Sequence, residues 1–155
     1  MRRARNSSSR WADCRVVPAD FKRFFGPKLR LELVEKLVHD AAFTIHRALG
    51  PGFPELVYRE ALLVELGRRA LGFREQVPLP VDYRGRRIAH SSLELVVDER
   101  LLVELSTREA FARERARALA CQLRAVGLPL GLLITFNGAE PCPQVLRVAP
   151  GAVAA

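Results

Sequence analysis

The seven residues from Leu130 to Phe136 read Leu-Gly-Leu-Leu-Ile-Thr-Phe, a short and nearly continuous apolar run. Its length and composition predict a strand buried on both faces, and such a strand needs cover on both. The sheet that holds it must therefore lie between layers. The flanking patterns supply those layers. Val34, Leu37, Val38, Ala41, Ile45 and Ala48 recur at helical spacing and predict a helix from about Leu31 to Leu49. Gly50-Pro51-Gly52 ends it. A second helix is expected from Pro54 to Ala70. Leu56, Val57, Ala61, Leu62, Leu63 and Leu66 make it apolar nearly all round, so it should be buried on more than one side.

The period then changes to two. Val77, Leu79, Val81 and Tyr83 mark a strand over Phe73–Tyr83, followed by a turn at Arg84-Gly85-Arg86 and strands over Ile88–Val97 and Leu101–Leu105. Helical spacing returns over Glu109–Val126. After the apolar run come a turn at Asn137-Gly138 and an edge strand over Val145–Val148. Helix, helix, three strands, helix, two strands is the order of an α/β sandwich with a mixed central sheet flanked by helices. No internal repeat interrupts it.

Between the first two helices lies Gly52-Phe53-Pro54-Glu55-Leu56-Val57-Tyr58, a G-x-x-E-x-x-Y arrangement. Glycine frees the backbone to turn, and proline suits a first helical turn. Glu55 and Tyr58 then fall three apart on one helix face. Two readings stand open. They are a carboxylate and phenol sharing a site, or a helix-start charge beside a half-buried tyrosine.

The net charge of +8 is unevenly placed. Residues 1–30 carry nine Lys or Arg against two Asp, which accounts for nearly all of it. This Arg/Ser-rich stretch is expected to be a disordered extension, with phosphate binding as its alternative role. Pro18–Phe25 reads as one short amphipathic turn. No apolar run approaches the length of a membrane span. Cys14, Cys121 and Cys142 are odd in number, widely spaced and without a CxxC pair. Neither a zinc site nor a disulfide framework is indicated, and a reducing cytoplasm is the expected compartment.

Several ordered blocks accompany the motif. Ile45-His46-Arg47-Ala48-Leu49-Gly50-Pro51-Gly52 precedes it and Val81-Asp82-Tyr83-Arg84-Gly85-Arg86 follows. Leu102-Val103-Glu104-Leu105 and Gly131-Leu132-Leu133-Ile134-Thr135-Phe136 come later. Together, from about Leu31 to Val148, they resemble the GxxExxY family of small bacterial proteins, within the PD-(D/E)XK nuclease superfamily. The resemblance implies a nuclease-like domain over residues 31–150. It also implies a site with one acidic residue on a hairpin strand and, on the next strand, an acid and a lysine two positions apart. Residues two apart on a strand share a face, so acid and lysine meet. The carboxylates would hold Mg²⁺, and the lysine would place charge by the phosphate.

On this chain the acidic positions are Glu94 and Glu104, joined by Glu55 of the motif. A three-residue turn at Asp98-Glu99-Arg100 pairs Val97 with Leu101 and sets Glu94 opposite Glu104. Leu93, Leu95, Val103 and Leu105 would then point to the other face, into the core. Two facing glutamates repel unless a cation separates them, whether a metal, Arg100, Arg108 or His90, or unless both are solvated on an exposed face. The lysine position is Ser106. The family pattern also has Asp at position 94, and Gln and Tyr where this chain has Ala118 and Gln122. Arg108, two residues beyond Ser106, is the partial substitute. The arginines of Arg113-Glu114-Arg115-Ala116-Arg117 read as a solvated helix face, or as phosphate contacts if the nuclease-like reading holds.

The site is thus expected to be degenerate, with catalysis lost or reduced. A non-catalytic module binding DNA, RNA or protein is the alternative, and an active Mg²⁺-dependent phosphodiesterase using Arg108 is the third. His39 and His46 stand about two turns apart and cannot share a metal. His46, bordering the apolar face, is expected to be a structural, hydrogen-bonding residue. Ser91-Ser92 lack a GxSxG context, and Gly50 and Gly52 precede no G-K-[ST]. Because residues 1–28 have little periodic apolar content, their deletion is expected to leave thermal unfolding cooperative and Tm nearly unchanged. A loss of several degrees would mean that Phe21, Phe24 and Phe25 dock on the core.

Overall fold

A computed structural model describes residues 28–136 and 142–151, apart from the side chains of Pro80, Ala89, His90 and Glu109. Cys14, the Pro18–Phe25 turn, the Asn137-Gly138 turn and the His90 side chain lie outside the described residues. Two helices, α1 (Leu31–Leu49) and α2 (Glu55–Arg68), precede strands β1 (Phe73–Tyr83), β2 (Arg86–Val97) and β3 (Leu101–Ser106). A 3-10 turn (Glu109–Phe111), helix α3 (Ala112–Val126), β4 (Leu130–Thr135) and β5 (Gln144–Val148) complete the order. Among the described residues no helix is long and apolar enough to cross a membrane. Cys121 and Cys142 are free thiols.

The five strands form one sheet in sequence order, β1-β2-β3-β4-β5. Only β3 and β4 run parallel. The connection between them must cross over the sheet, and α3 is that crossover. All six residues of β4 are buried, as are all six of β3. Their alternation feeds two cores. Leu101, Val103, Leu105, Leu130, Leu132 and Ile134 join Val34, Val38, Ile45 and Leu62 beneath α1 and α2. Leu102 and Leu133 join Ala116, Leu119 and Leu123 beneath α3. Gly131 permits the close approach of α3, since a Cβ there would meet Leu119 Cγ at 3.0 Å. The α/β sandwich with a mixed sheet is therefore the observed architecture.

Two expectations about burial change. In α1, Ala48 is exposed, while Ala42 and His46 join the buried stripe. Helix α2 is buried along one stripe only, Tyr58, Leu62 and Leu66. Leu56 and Val64 are 56% and 62% exposed, because α1 and β3 cover α2 from one side.

The β2–β3 hairpin has the expected register: Val97 pairs with Leu101, Val96 with Leu102 and Leu95 with Val103. Asp98 and Glu99 turn the chain with φ of +51° and +58°. The ladder stops at Leu95, however, and does not reach Glu94 and Glu104. Leu93 also departs from expectation. It lies in the α3 core with Val77 and Leu79, whereas Leu95 and Val97 lie in the α1–α2 core. The cause is local. Gln76, between the Glu75–Leu95 and Val77–Leu93 pairs, has a φ of +48°. A left-handed residue in a strand breaks the alternation of faces, so the long β1–β2 hairpin changes layers at this point.

The loop between α1 and α2 is closed by Tyr58. Its hydroxyl donates to Gly50 O at 2.7 Å and accepts from Phe53 N–H at 3.2 Å. Its ring stacks on Phe136, centroids 4.4 Å apart and planes 3° from parallel. Gly52 carries a φ of +105°, which side-chain-bearing residues rarely adopt. Tyr58→Phe removes both hydroxyl bonds from a fully buried position. It is expected to cost about 1–2 kcal/mol in urea unfolding with an unchanged m-value. A cost near zero would show that the loop holds without the hydroxyl.

Candidate active site

A cleft of about 580 Å³ opens at the end of β3, lined by Glu55, Ser106, Thr107, Arg108, Phe111 and Arg115. Three elements meet there. Helix α2 contributes Glu55 from its first turn, where the helix N-terminus favours a negative charge. Strand β3 ends in Ser106, pinned by Phe136 N–H donating to Ser106 O at 2.8 Å. Helix α3 contributes Arg115. The motif is thereby split. Tyr58 goes into the core and Glu55 into the cleft, so phenol and carboxylate do not share a site.

Glu94 and Glu104 each lie within electrostatic reach of Glu55. In place of the missing ladder bond, Glu94 Oε2 accepts the Leu105 N–H at 3.1 Å. Burial pushes Glu94 up to about 7 against the pull of that hydrogen bond, and the charges of Glu55 and Glu104 raise it further while Arg115 opposes. Glu104 is only 9% exposed, and burial raises its pKa as well. Arg115 and a side-chain hydrogen bond from Gln122 counter that rise, and Glu55 adds to it. Desolvation disfavours the charged carboxylates, and each then disfavours its neighbours.

The cation of this cluster is Arg115. One guanidinium nitrogen donates to Leu105 O at 2.7 Å and lies 3.5 Å from Glu55 Oε2. The sequence reading placed Arg113–Arg117 together on a solvated face, and for Arg115 that is corrected. Arg115, Leu119 and Gln122 follow at i, i+4 and i+7, which puts Arg115 and Gln122 on the edge of the buried stripe of α3. That spacing was the available signal, and the run of alternating charges obscured it. Arg113 and Arg117 are exposed. Arg100, offered as a separator, instead bonds Asp98 and Leu29 O at the hairpin turn.

The position two beyond Glu104 carries no charge. Ser106 is 1% exposed, and its hydroxyl both accepts from Arg108 N–H and donates to Arg108 O, each at 3.1 Å. It closes a local turn. Strand β3 ends there, so Arg108 does not continue the strand face as expected, although it still lines the cleft. Ala118 is exposed and Gln122 supplies the polar contact to Glu104. Away from the cleft, His46 is buried beside Phe136 with ring centroids 6.5 Å apart. Its Nε2 is buried without a hydrogen-bond partner among the described residues.

The raised carboxylate gives stability a pH dependence. Glu94 holds a proton in the folded state at about 7 but near its ordinary 4.5 in the unfolded chain. Between those values the folded state binds more protons, so stability falls as pH rises through the window. With solvent screening of a half-buried group, unfolding free energy is expected to drop by about 1–2 kcal/mol from pH 5 to 8. Glu94→Gln should flatten most of that decline in denaturant melts. An equal slope in the variant would assign the dependence elsewhere.

No curated protein and no solved structure matches the chain. The family profile described as PD-(D/E)XK nuclease superfamily matches residues 32–148, from the start of α1 to the end of β5. Five strands in a mixed sheet, helices on both faces and acidic residues at the end of the central hairpin accord with that match. The chain belongs to the PD-(D/E)XK nuclease superfamily.

Proposed function

We propose that residues 31–150 form a diverged nuclease-like domain of the GxxExxY family, in which Mg²⁺-dependent phosphodiester cleavage is lost or reduced. The observation that carries this reading is Ser106. At the position where the superfamily pattern has lysine, this chain has a buried hydroxyl bonded to its own turn. It brings no positive charge to a phosphate in the cleft, and such charges are worth about 10²–10³ in rate. Arg108 is the nearest cation by sequence. It sits in the loop after β3, and a guanidinium does not replace an ammonium as proton carrier.

PD-(D/E)XK nucleases typically use a divalent metal such as Mg²⁺. Glu94 and Glu104 are the carboxylates that would hold it here. As the site stands the fit is incomplete. Glu94 Oε2 is engaged by Leu105 N–H, and Glu104 by Gln122. Among the described residues no three of His, Cys, Asp and Glu are grouped around one ion. What the domain retains is cationic surface beside the cleft. Arg108 lines it, and Arg113 and Arg117 are exposed on α3, which favours DNA or RNA binding without cleavage as the second reading.

The test is a cleavage and binding assay on single- and double-stranded DNA and RNA, with and without Mn²⁺. Wild-type protein is expected to give no metal-dependent cleavage above background. Ser106→Lys combined with Glu94→Asp, Ala118→Gln and removal of the neighbouring charge by Arg115→Gln is expected to gain Mn²⁺-dependent nicking, which Glu104→Ala abolishes. Robust wild-type cleavage, lost in Glu104→Ala and in Arg108→Ala, would overturn the reading and make Arg108 the working cation.

A further inference from the structure

We propose that Arg115 is the resident cation of the acidic site and keeps a divalent metal out of it. The inference rests on the reading of Glu94 and Glu104 as the metal carboxylates. It concerns what now occupies their neighbourhood.

Four oxygen-bearing groups lie toward the end of β3. Glu94 reaches over from β2 to the Leu105 N–H, and Glu104 is nearly buried on β3. The Leu105 carbonyl lies beside them on the same strand, and Glu55 approaches from α2. All are hard donors of the kind Mg²⁺ or Mn²⁺ takes. Arg115 touches two of them and acts on the other two through its charge. It donates to the Leu105 carbonyl at 2.7 Å, pairs with Glu55 at 3.5 Å and acts electrostatically on both Glu94 and Glu104. A guanidinium in that position already provides the compensation that three repelling carboxylates require. A divalent ion would have to displace it from the carbonyl and then bear its repulsion.

A fifth oxygen is available once Arg115 is removed. Gln122 hydrogen-bonds Glu104, yet its Oε1 is buried without a hydrogen-bond partner. A buried carbonyl oxygen left unpaired is costly, and a cation beside Glu104 would relieve that cost. Arg115 satisfies the Leu105 carbonyl but not this amide. The site therefore retains more acceptor capacity than its internal cation uses.

The experiment measures metal binding and does not depend on cleavage. Mn²⁺ is titrated by calorimetry into wild-type protein, Arg115→Gln, Arg115→Lys and Arg115→Gln/Glu104→Gln, with circular dichroism reporting the fold. Wild type and Arg115→Lys, which both keep the charge, are expected to show no binding at millimolar Mn²⁺. Arg115→Gln is expected to bind at least about tenfold more tightly than wild type, and the added Glu104→Gln to abolish the gain. If Arg115→Gln is unfolded in EDTA, millimolar Mn²⁺ is expected to restore its fold. Wild-type binding as tight as that of Arg115→Gln would overturn the proposal. So would a gain that survives Glu104→Gln, or an unfolded Arg115→Gln that Mn²⁺ leaves unfolded. An inactive Ser106→Lys combination would bear on the cleavage reading alone, because these titrations read binding in chains that keep Ser106.

Discussion

The parallel pairing of β3 with β4 is the constraint on which the rest of the architecture depends. Parallel neighbours cannot be joined by a tight turn, so the chain between them must cross a face of the sheet, and α3 does so. Once α3 occupies one face, α1 and α2 cover the other, and the central strands are buried throughout. Everything polar that these strands carry is then forced to their ends. Glu104 and Ser106 lie near the C-terminal end of β3, next to Thr135 of β4, in the part of the sheet where the starts of α2 and α3 arrive.

The second determinant is the failure of β2 to stay with β3. A ladder that ran on past Leu95 would have satisfied the Leu105 N–H with backbone. Because the β1–β2 hairpin is interrupted at Gln76 of β1 and Glu94 of β2, a carboxylate supplies that bond instead. The same departure draws an acidic side chain into a partly desolvated place beside two others. The electrostatic cost of this arrangement is contained by Arg115 and Gln122, both delivered by the crossover helix. The helix that closes the fold thus also neutralises the site, and neither role separates cleanly from the other.

Much of this was legible in the residues. Period-two and helical spacings located every described element to within a few positions, and the register of the β2–β3 hairpin followed from its three-residue turn. What escaped were features without a periodic signature. The left-handed backbone at Gln76 moves Leu93 to the other core, and nothing about glutamine announces it. Arg115 looked like its neighbours Arg113 and Arg117, since a charged residue at the border of a helix stripe can lie on either side. The one-sided burial of α2 reflects the number of layers available to cover it, which no local pattern encodes. For the site, Ser106 was legible as a missing charge. Its closure onto the Arg108 backbone was not, because that depends on where the strand stops.

The tyrosine clamp of the α1–α2 loop changes what the sequence motif itself signifies. Gly52 is demanded by backbone geometry, and Tyr58 by the loop it ties and the aromatic stack it joins. Selection for folding alone would retain both in a lineage that had long since abandoned phosphodiester chemistry. Of the three residues that define the motif, Glu55 alone faces the cleft and is free to drift once the chemistry no longer matters. A survey of related chains would therefore be informative chiefly in that middle position: glycine and tyrosine count the descendants of the fold, and the glutamate counts those still under pressure at the site.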